Sequence, residues 1–251
     1  MGDGDDSEWR EYNIHGENEQ VDIFASTEVD YDTLYYTCRD GRLQQANEGA
    51  SDDDSIVVRS ETNWHKSTGM SVCRGSELLC SYLLKHPYVI NNKRTLELGC
   101  GTGLVGIVIM KHLNPASMLL TDGDLEVLKN MRHNVQENGL KPDENHLACP
   151  QLIWGKKSAQ KFKDKNGAQD VIMAADCLYI PQSITNLWEL VDQVLTNTGV
   201  FLYVAGETQC DFDRVVKSGL EFGFVHCPGE NWADDSEENK QYPVRLFRRK
   251  I

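Results

Sequence analysis

A strand, a run of alternate glycines and a helix follow one another without pause between residues 95 and 111. No other stretch constrains the fold as much. Thr95-Leu96-Glu97-Leu98 is short and mostly apolar, which predicts a buried strand. Gly99, Gly101 and Gly103 come next, and Leu104-Val105-Gly106-Ile107-Val108-Ile109-Met110 continues as an apolar helix. Glycines in such a turn let a ligand approach bare backbone N–H groups at the positive end of a helix. Turns of this kind belong to open α/β sheets, whose ligands lie beyond the carboxyl ends of the strands.

The rest of the chain fits that reading. Leu78, Leu79, Tyr82 and Leu83 stand at helical spacing within 76–85. Strands are expected at 95–98, 117–121, within 147–154, at 170–175 and at 199–204, and helices at 104–113, 125–138, 183–195 and 212–220. The last two strands, 224–227 and 244–247, have no helical pattern between them and should pair as an antiparallel hairpin. The expected fold class is therefore α/β: three Rossmann-like layers around a seven-stranded, mostly parallel sheet with a terminal antiparallel hairpin. Residues 1–60 read as a small N-terminal extension and 61–251 as the main domain. Within the extension, 1–16 is acidic and expected to be disordered. Ile23, Phe24, Val29, Tyr31, Leu34, Tyr35 and Tyr36 should form strands over one edge of the core, and polar 41–54 a loop.

Two ligands compete for the glycine turn. Gly101-Thr102-Gly103-Leu104-Val105-Gly106 satisfies G-x-G-x-x-G, and Asp122 lies about twenty residues on, as a dinucleotide site requires. Against it stands Glu97, inside the strand and two residues before the first glycine. A carboxylate there repels a pyrophosphate and attracts the sulfonium and ammonium of S-adenosylmethionine. The methyl donor is the better reading. Glu97, Asp122 and Asp176 all fall at strand carboxyl ends and should converge. Asp122 is placed to accept from ribose hydroxyls, with Asp124 left to cap the following helix. Trp154, after the third strand, offers a flat ring for adenine, although a Trp there also serves as core.

Composition narrows the partners. A net charge of −14 argues against a surface that tracks nucleic-acid phosphates; simple solubility accounts for it first, and a basic partner is the other reading. No apolar run reaches the roughly 18 residues of a membrane span. The 8 cysteines include no C-x-x-C and no cysteine–histidine spacing of a zinc site, so no metal is expected. The acidic first residues lack an apolar signal core, which points to a cytoplasmic or nuclear protein.

The segment Asp170-Val171-Ile172-Met173-Ala174-Ala175-Asp176-Cys177-Leu178-Tyr179 resembles the D-x-x-Y segment of the methyltransferase-like protein-lysine methyltransferases. The resemblance spans about residues 69 to 205 and includes Gly69-Met70-Ser71-Val72-Cys73, Glu97 to Gly103, Thr121-Asp122 and Leu152-Ile153-Trp154-Gly155. One departure is Cys73, where this family usually carries a Trp near the cofactor. Two prolines of a nucleic-acid adenine methyltransferase are absent after Asp176, replaced by Cys177-Leu178.

The resemblance implies a protein N-methyltransferase acting on lysine, with Asp176 and Tyr179 as catalytic residues. Its expected cofactor set is Glu97, Gly99, Gly101, Thr102, Gly103, Asp122, Gly123, Trp154, Ala175 and Asp176. Asp176 would orient the amine and Tyr179 would line its channel. The expected protein is a monomer, acting on a basic or lysine-presenting protein surface. Asp234, Asp235, Glu237 and Glu238, between the last two strands, would either draw that surface in or simply keep a solvated turn soluble. A histidine target, a small-molecule N-methyltransferase and a cofactor-binding module without turnover remain the alternatives.

Overall fold

A computed structural model describes residues 30–47, 55–62, 68–143, 146–178, 181–206, 211–228 and 242–250. The first 29 residues, Tyr179 and the acids at 234–238 lie outside the described residues. Seven strands form the main sheet: β4 (Arg94–Leu98), β5 (Ser117–Thr121), β6 (Leu147–Ala148), β7 (Gln169–Ala175), β8 (Leu195–Val204), β9 (Phe224–His226) and β10 (Val244–Arg249). Their order is β6-β5-β4-β7-β8-β10-β9. Strands β4 to β8 pair in parallel, and β10 runs antiparallel to both β8 and β9. The terminal hairpin is thus present, with its second strand inserted against β8.

Strand residues alternate between two cores, which is why helices cover both faces. Val171, Met173 and Ala175 pack with α1 (Arg74–Lys85), α2 (Leu104–His112) and α3 (Leu125–Glu137). Ile172 and Ala174 pack with α4 (Lys156–Asn166), α5 (Pro181–Val194) and α6 (Phe212–Glu221). Trp188 of α5 anchors this second core, its ring against Phe201, Phe224 and Phe247 and its Nε1 donating to the Val215 carbonyl at 3.1 Å. The three-layer α/β expectation holds.

One local expectation fails, and one element is added. Residues 156–166, to which the sequence assigned no element, form α4, with Ser158, Ala159 and Phe162 burying one narrow face. Residues 41–54 are not wholly loop: Arg42–Ala46 is a strand, β2, paired to β1 (Tyr31–Arg39). Asp40 and Gly41 make the two-residue turn, at φ 52° and 67°. Asp-Gly tolerates both left-handed positions, and this turn signal outweighs the polar composition. With β3 (Ile56–Glu61), these strands form a separate antiparallel sheet in the order β2-β1-β3. Tyr36, Ile56 and Val58 are buried in the same core as α1 to α3. No helix among the described residues is long and apolar enough to cross a membrane.

Candidate active site

Strand β4 stops at Leu98, and Gly99, Gly101 and Gly103 turn the chain with φ of 64°, 54° and 85°. Space as well as conformation demands glycine here. A Cβ on Gly99 would stand 2.9 Å from the Cys177 Cβ, and one on Gly101 would stand 3.0 Å from the Gly69 carbonyl oxygen. Gly103 begins α2 with no side chain to cap it. Glu97 supplies the acceptor instead, its Oε2 taking the Gly106 N–H at 3.1 Å. Only 2% of Glu97 is exposed, and burial pushes its carboxyl up to about 8. Glu97 and Gly103 therefore support the turn from beneath and do not line the cavity above it.

At the second acidic position, Asp124 takes the capping role that the sequence predicts, and Asp122 does not share it. Asp124 caps α3, its Oδ1 accepting from the N–H groups of Glu126 at 2.8 Å and Val127 at 3.4 Å. Asp122 turns to the glycine loop, with Oδ2 taking the Gly101 N–H at 3.2 Å and Oδ1 the Asp124 N–H at 3.1 Å. Burial raises the Asp122 pKa, and these N–H donors partly offset the shift.

Asp176 ends β7 in a left-handed conformation, φ 49°, which costs a non-glycine residue conformational energy. Its N–H is held by the Val204 carbonyl at 2.8 Å. Its Oδ2 takes the Gly75 N–H at 2.7 Å, in the first turn of α1. Its Oδ1 is buried with no hydrogen bond of ordinary geometry, although the Cys73 thiol and the Gly206 N–H lie near enough to favour its charge. Burial nonetheless raises the Asp176 pKa. Burial and the neighbouring Asp176 push the Cys73 thiol up to about 12, so it is neutral.

These residues enclose a cavity of about 660 Å³ at the carboxyl edge of the sheet, within the range of small-molecule sites. Gly99, Gly101, Thr102, Asp122, Gly123, Trp154, Ala175 and Asp176 all line it. So do Cys73, Ser76, Cys177, Ser183 and Asn186, from the first turn of α1, the end of β7 and the first turns of α5. The sequence reading named Cys73 only as a departure and passed over Ser76, Ser183 and Asn186. Polar residues in a helical first turn carry no signal that separates a cavity wall from solvent.

A family profile described as lysine methyltransferase matches residues 51–215. The chain belongs to this family. Among the relatives of this chain, the protein-lysine N-methyltransferase EFM3 of Chaetomium thermophilum is 30% identical over 175 residues, 67% of this chain and 50% of that protein. The protein-lysine N-methyltransferase EEF2KMT of Homo sapiens is 32% identical over 48% of this chain and 38% of its own length. The chain thus spans half or less of these two relatives. The protein N-lysine methyltransferase METTL21A of Xenopus tropicalis is 33% identical over 69% of this chain and 74% of its own length. A solved methyltransferase of Streptococcus mutans shares the fold, with a TM-score of 0.55 at 10% identity over 85% of this chain and 60% of that one.

Proposed function

We propose that this lysine methyltransferase family member transfers a methyl group from S-adenosylmethionine to a lysine side chain of a protein. The observation that carries the reading is the wall of the cavity: Asp176, strained at φ 49°, shares one 660 Å³ space with the glycine turn and Asp122. The residues fit the cofactor. Each Asp122 oxygen accepts one backbone N–H and keeps a second lone pair for a ribose hydroxyl. Trp154 and Ile153 offer apolar surface to adenine, and Gly99 and Gly101 open the backbone to the amino-acid end.

When bound, S-adenosylmethionine supplies an electrophilic methyl group on a sulfonium. The protein's share is to present a neutral amine in line with it. Burial of the lysine beside the cavity lowers its pKa and favours loss of the proton. Asp176 accepts an N–H of the amine and aims the nitrogen lone pair, and the resemblance to the family assigns the channel role to Tyr179. Positioning of this kind can lower a barrier by about 7–11 kcal/mol in favourable cases, so no general base is required.

The same reading assigns residues 1–60 to an extension and 61–251 to the methyltransferase domain of a monomeric cytoplasmic or nuclear protein. Val244, the first residue of β10, pairs with Val204 at the carboxyl end of β8. In this proposal Asp234, Asp235, Glu237 and Glu238, which precede Val244 in sequence, have the role of attracting a lysine-presenting target.

The test is incubation with methyl-labelled cofactor and a methylation-deficient cytosolic extract, followed by acid hydrolysis. Label in methyl-lysine is expected. Label in methyl-histidine or in a small metabolite overturns the lysine assignment.

A further inference from the structure

Three asparagines, Asn130, Asn134 and Asn138, recur every fourth residue along α3 and its C-cap and so stand in one row. The row faces the outer edge of β3 and takes the place of a neighbouring strand. Asn138 accepts the Val57 N–H at 3.0 Å and donates to the Val57 carbonyl at 2.6 Å. Asn134 repeats the clasp at Arg59, accepting at 2.8 Å and donating at 3.1 Å. Asn130 adds a bond from its Nδ2 to the Arg59 carbonyl and accepts from the Arg59 Nε at 2.7 Å.

Asn134 differs from the other two in reaching the glycine turn. Its Nδ2 also donates to the Thr102 carbonyl at 2.9 Å, and the side chain is fully buried. One amide hydrogen holds the N-terminal sheet and the other holds the loop. Thr102 lines the cavity between Gly101 and Gly103, both in the left-handed region. A peptide flanked by two glycines has wide conformational choice, and an anchored carbonyl removes much of it.

We infer that Asn134 is a positioning residue for the cofactor loop, and that through it the seating of β3 and cofactor binding are coupled. The inference rests on the reading of the cavity as an S-adenosylmethionine site. Coupling of this kind is reciprocal. A seated β3 holds Asn134 in place to order the loop, and a loop ordered by ligand holds Asn134 for β3.

Calorimetry with S-adenosylhomocysteine on the wild type, Asn134→Ala and Asn138→Ala tests this, together with hydrogen exchange at Arg59. Both substitutions remove a two-bond clasp from β3, but only the first releases Thr102. Asn134→Ala is expected to raise Kd about tenfold, the worth of one buried hydrogen bond, and Asn138→Ala to raise it by less, because it loosens β3 but leaves Thr102 held. Protection of the Arg59 amide should rise on ligand addition in the wild type and in Asn138→Ala, and not in Asn134→Ala. Equal losses of affinity in both variants overturn the inference. So does wild-type Arg59 protection that ignores the ligand, a measurement that needs no variant to fold. Absence of binding by the wild type overturns the cofactor reading itself, and the inference with it.

Discussion

The backbone N–H of Gly75 donates to Oδ2 of Asp176 at 2.7 Å across 101 residues of sequence. Gly75 stands in the first turn of α1, after the Cys73 N-cap, where helical N–H groups lack internal partners. The carboxylate thus caps a helix with one oxygen while its side chain lines the cavity. A Cβ at position 75 would lie 2.6 Å from that same oxygen, so only glycine allows the approach.

Gly75→Ala is expected to displace Asp176 from the end of β7. Overpacking of this kind costs about 1–3 kcal/mol, visible as a lower Tm. Methyl transfer at saturating cofactor should fall further than the stability loss accounts for, because Asp176 is moved and not removed. An unchanged rate would show that the position of Asp176 does not matter to the chemistry.

Asp176→Asn separates charge from geometry. Asparagine keeps an acceptor for Gly75, and burial already disfavours the ionised aspartate, whose pKa is raised. The variant should be at least as stable as the wild type above neutral pH. Its turnover should fall by about 10- to 150-fold, the worth of a hydrogen bond to a charged group. Loss of stability without loss of turnover would make Asp176 a helix cap and nothing more.

Glu97 has a pH signature of its own. Its carboxyl is raised in the folded state from 4.5 to about 8, so the native protein holds a proton that the unfolded chain releases. Its contribution to stability is fully present below about pH 4.5 and is lost as pH rises towards 8. Glu97→Gln keeps an acceptor for the Gly106 N–H and removes the titration. The Tm of Glu97→Gln relative to wild type should therefore climb between pH 5 and pH 8. A flat difference would mean that Glu97 is not buried as an acid.

The strands that carry the site were legible because each is a short apolar run ended by a turn or an acid. Residues 117–121 match β5, and Asp122 and Asp176 fall where strand ends put them. Contacts between distant segments were not legible. Nothing in Cys73-Arg74-Gly75 announces that its glycine must admit a carboxylate from 101 residues away. The asparagine row was hidden for another reason: its period of four reads as a polar helix face, yet Asn130 and Asn134 are buried and the row clasps β3. Glu97 was legible on β4, but its bond to Gly106 was not, because sequence shows the strand end and not which side of the turn the carboxylate takes.

Asp122 and Asp124 are two residues apart and should separate completely in their effects. Asp124→Ala removes the α3 cap, at a cost of about 1 kcal/mol in stability, and should leave affinity for S-adenosylhomocysteine unchanged. Asp122→Ala should weaken that affinity by about 1.5–3 kcal/mol through lost charge-assisted bonds to ribose. Part of that loss belongs to the loop, since Asp122 also holds the Gly101 N–H. Asp122→Asn divides the two, because one amide oxygen can still hold Gly101 while the charge is gone. Its affinity should fall between wild type and Asp122→Ala. Calorimetry on the three variants decides it: if Asp124→Ala weakens binding as much as Asp122→Ala, the ribose role passes from Asp122 to the α3 N-terminus as a whole.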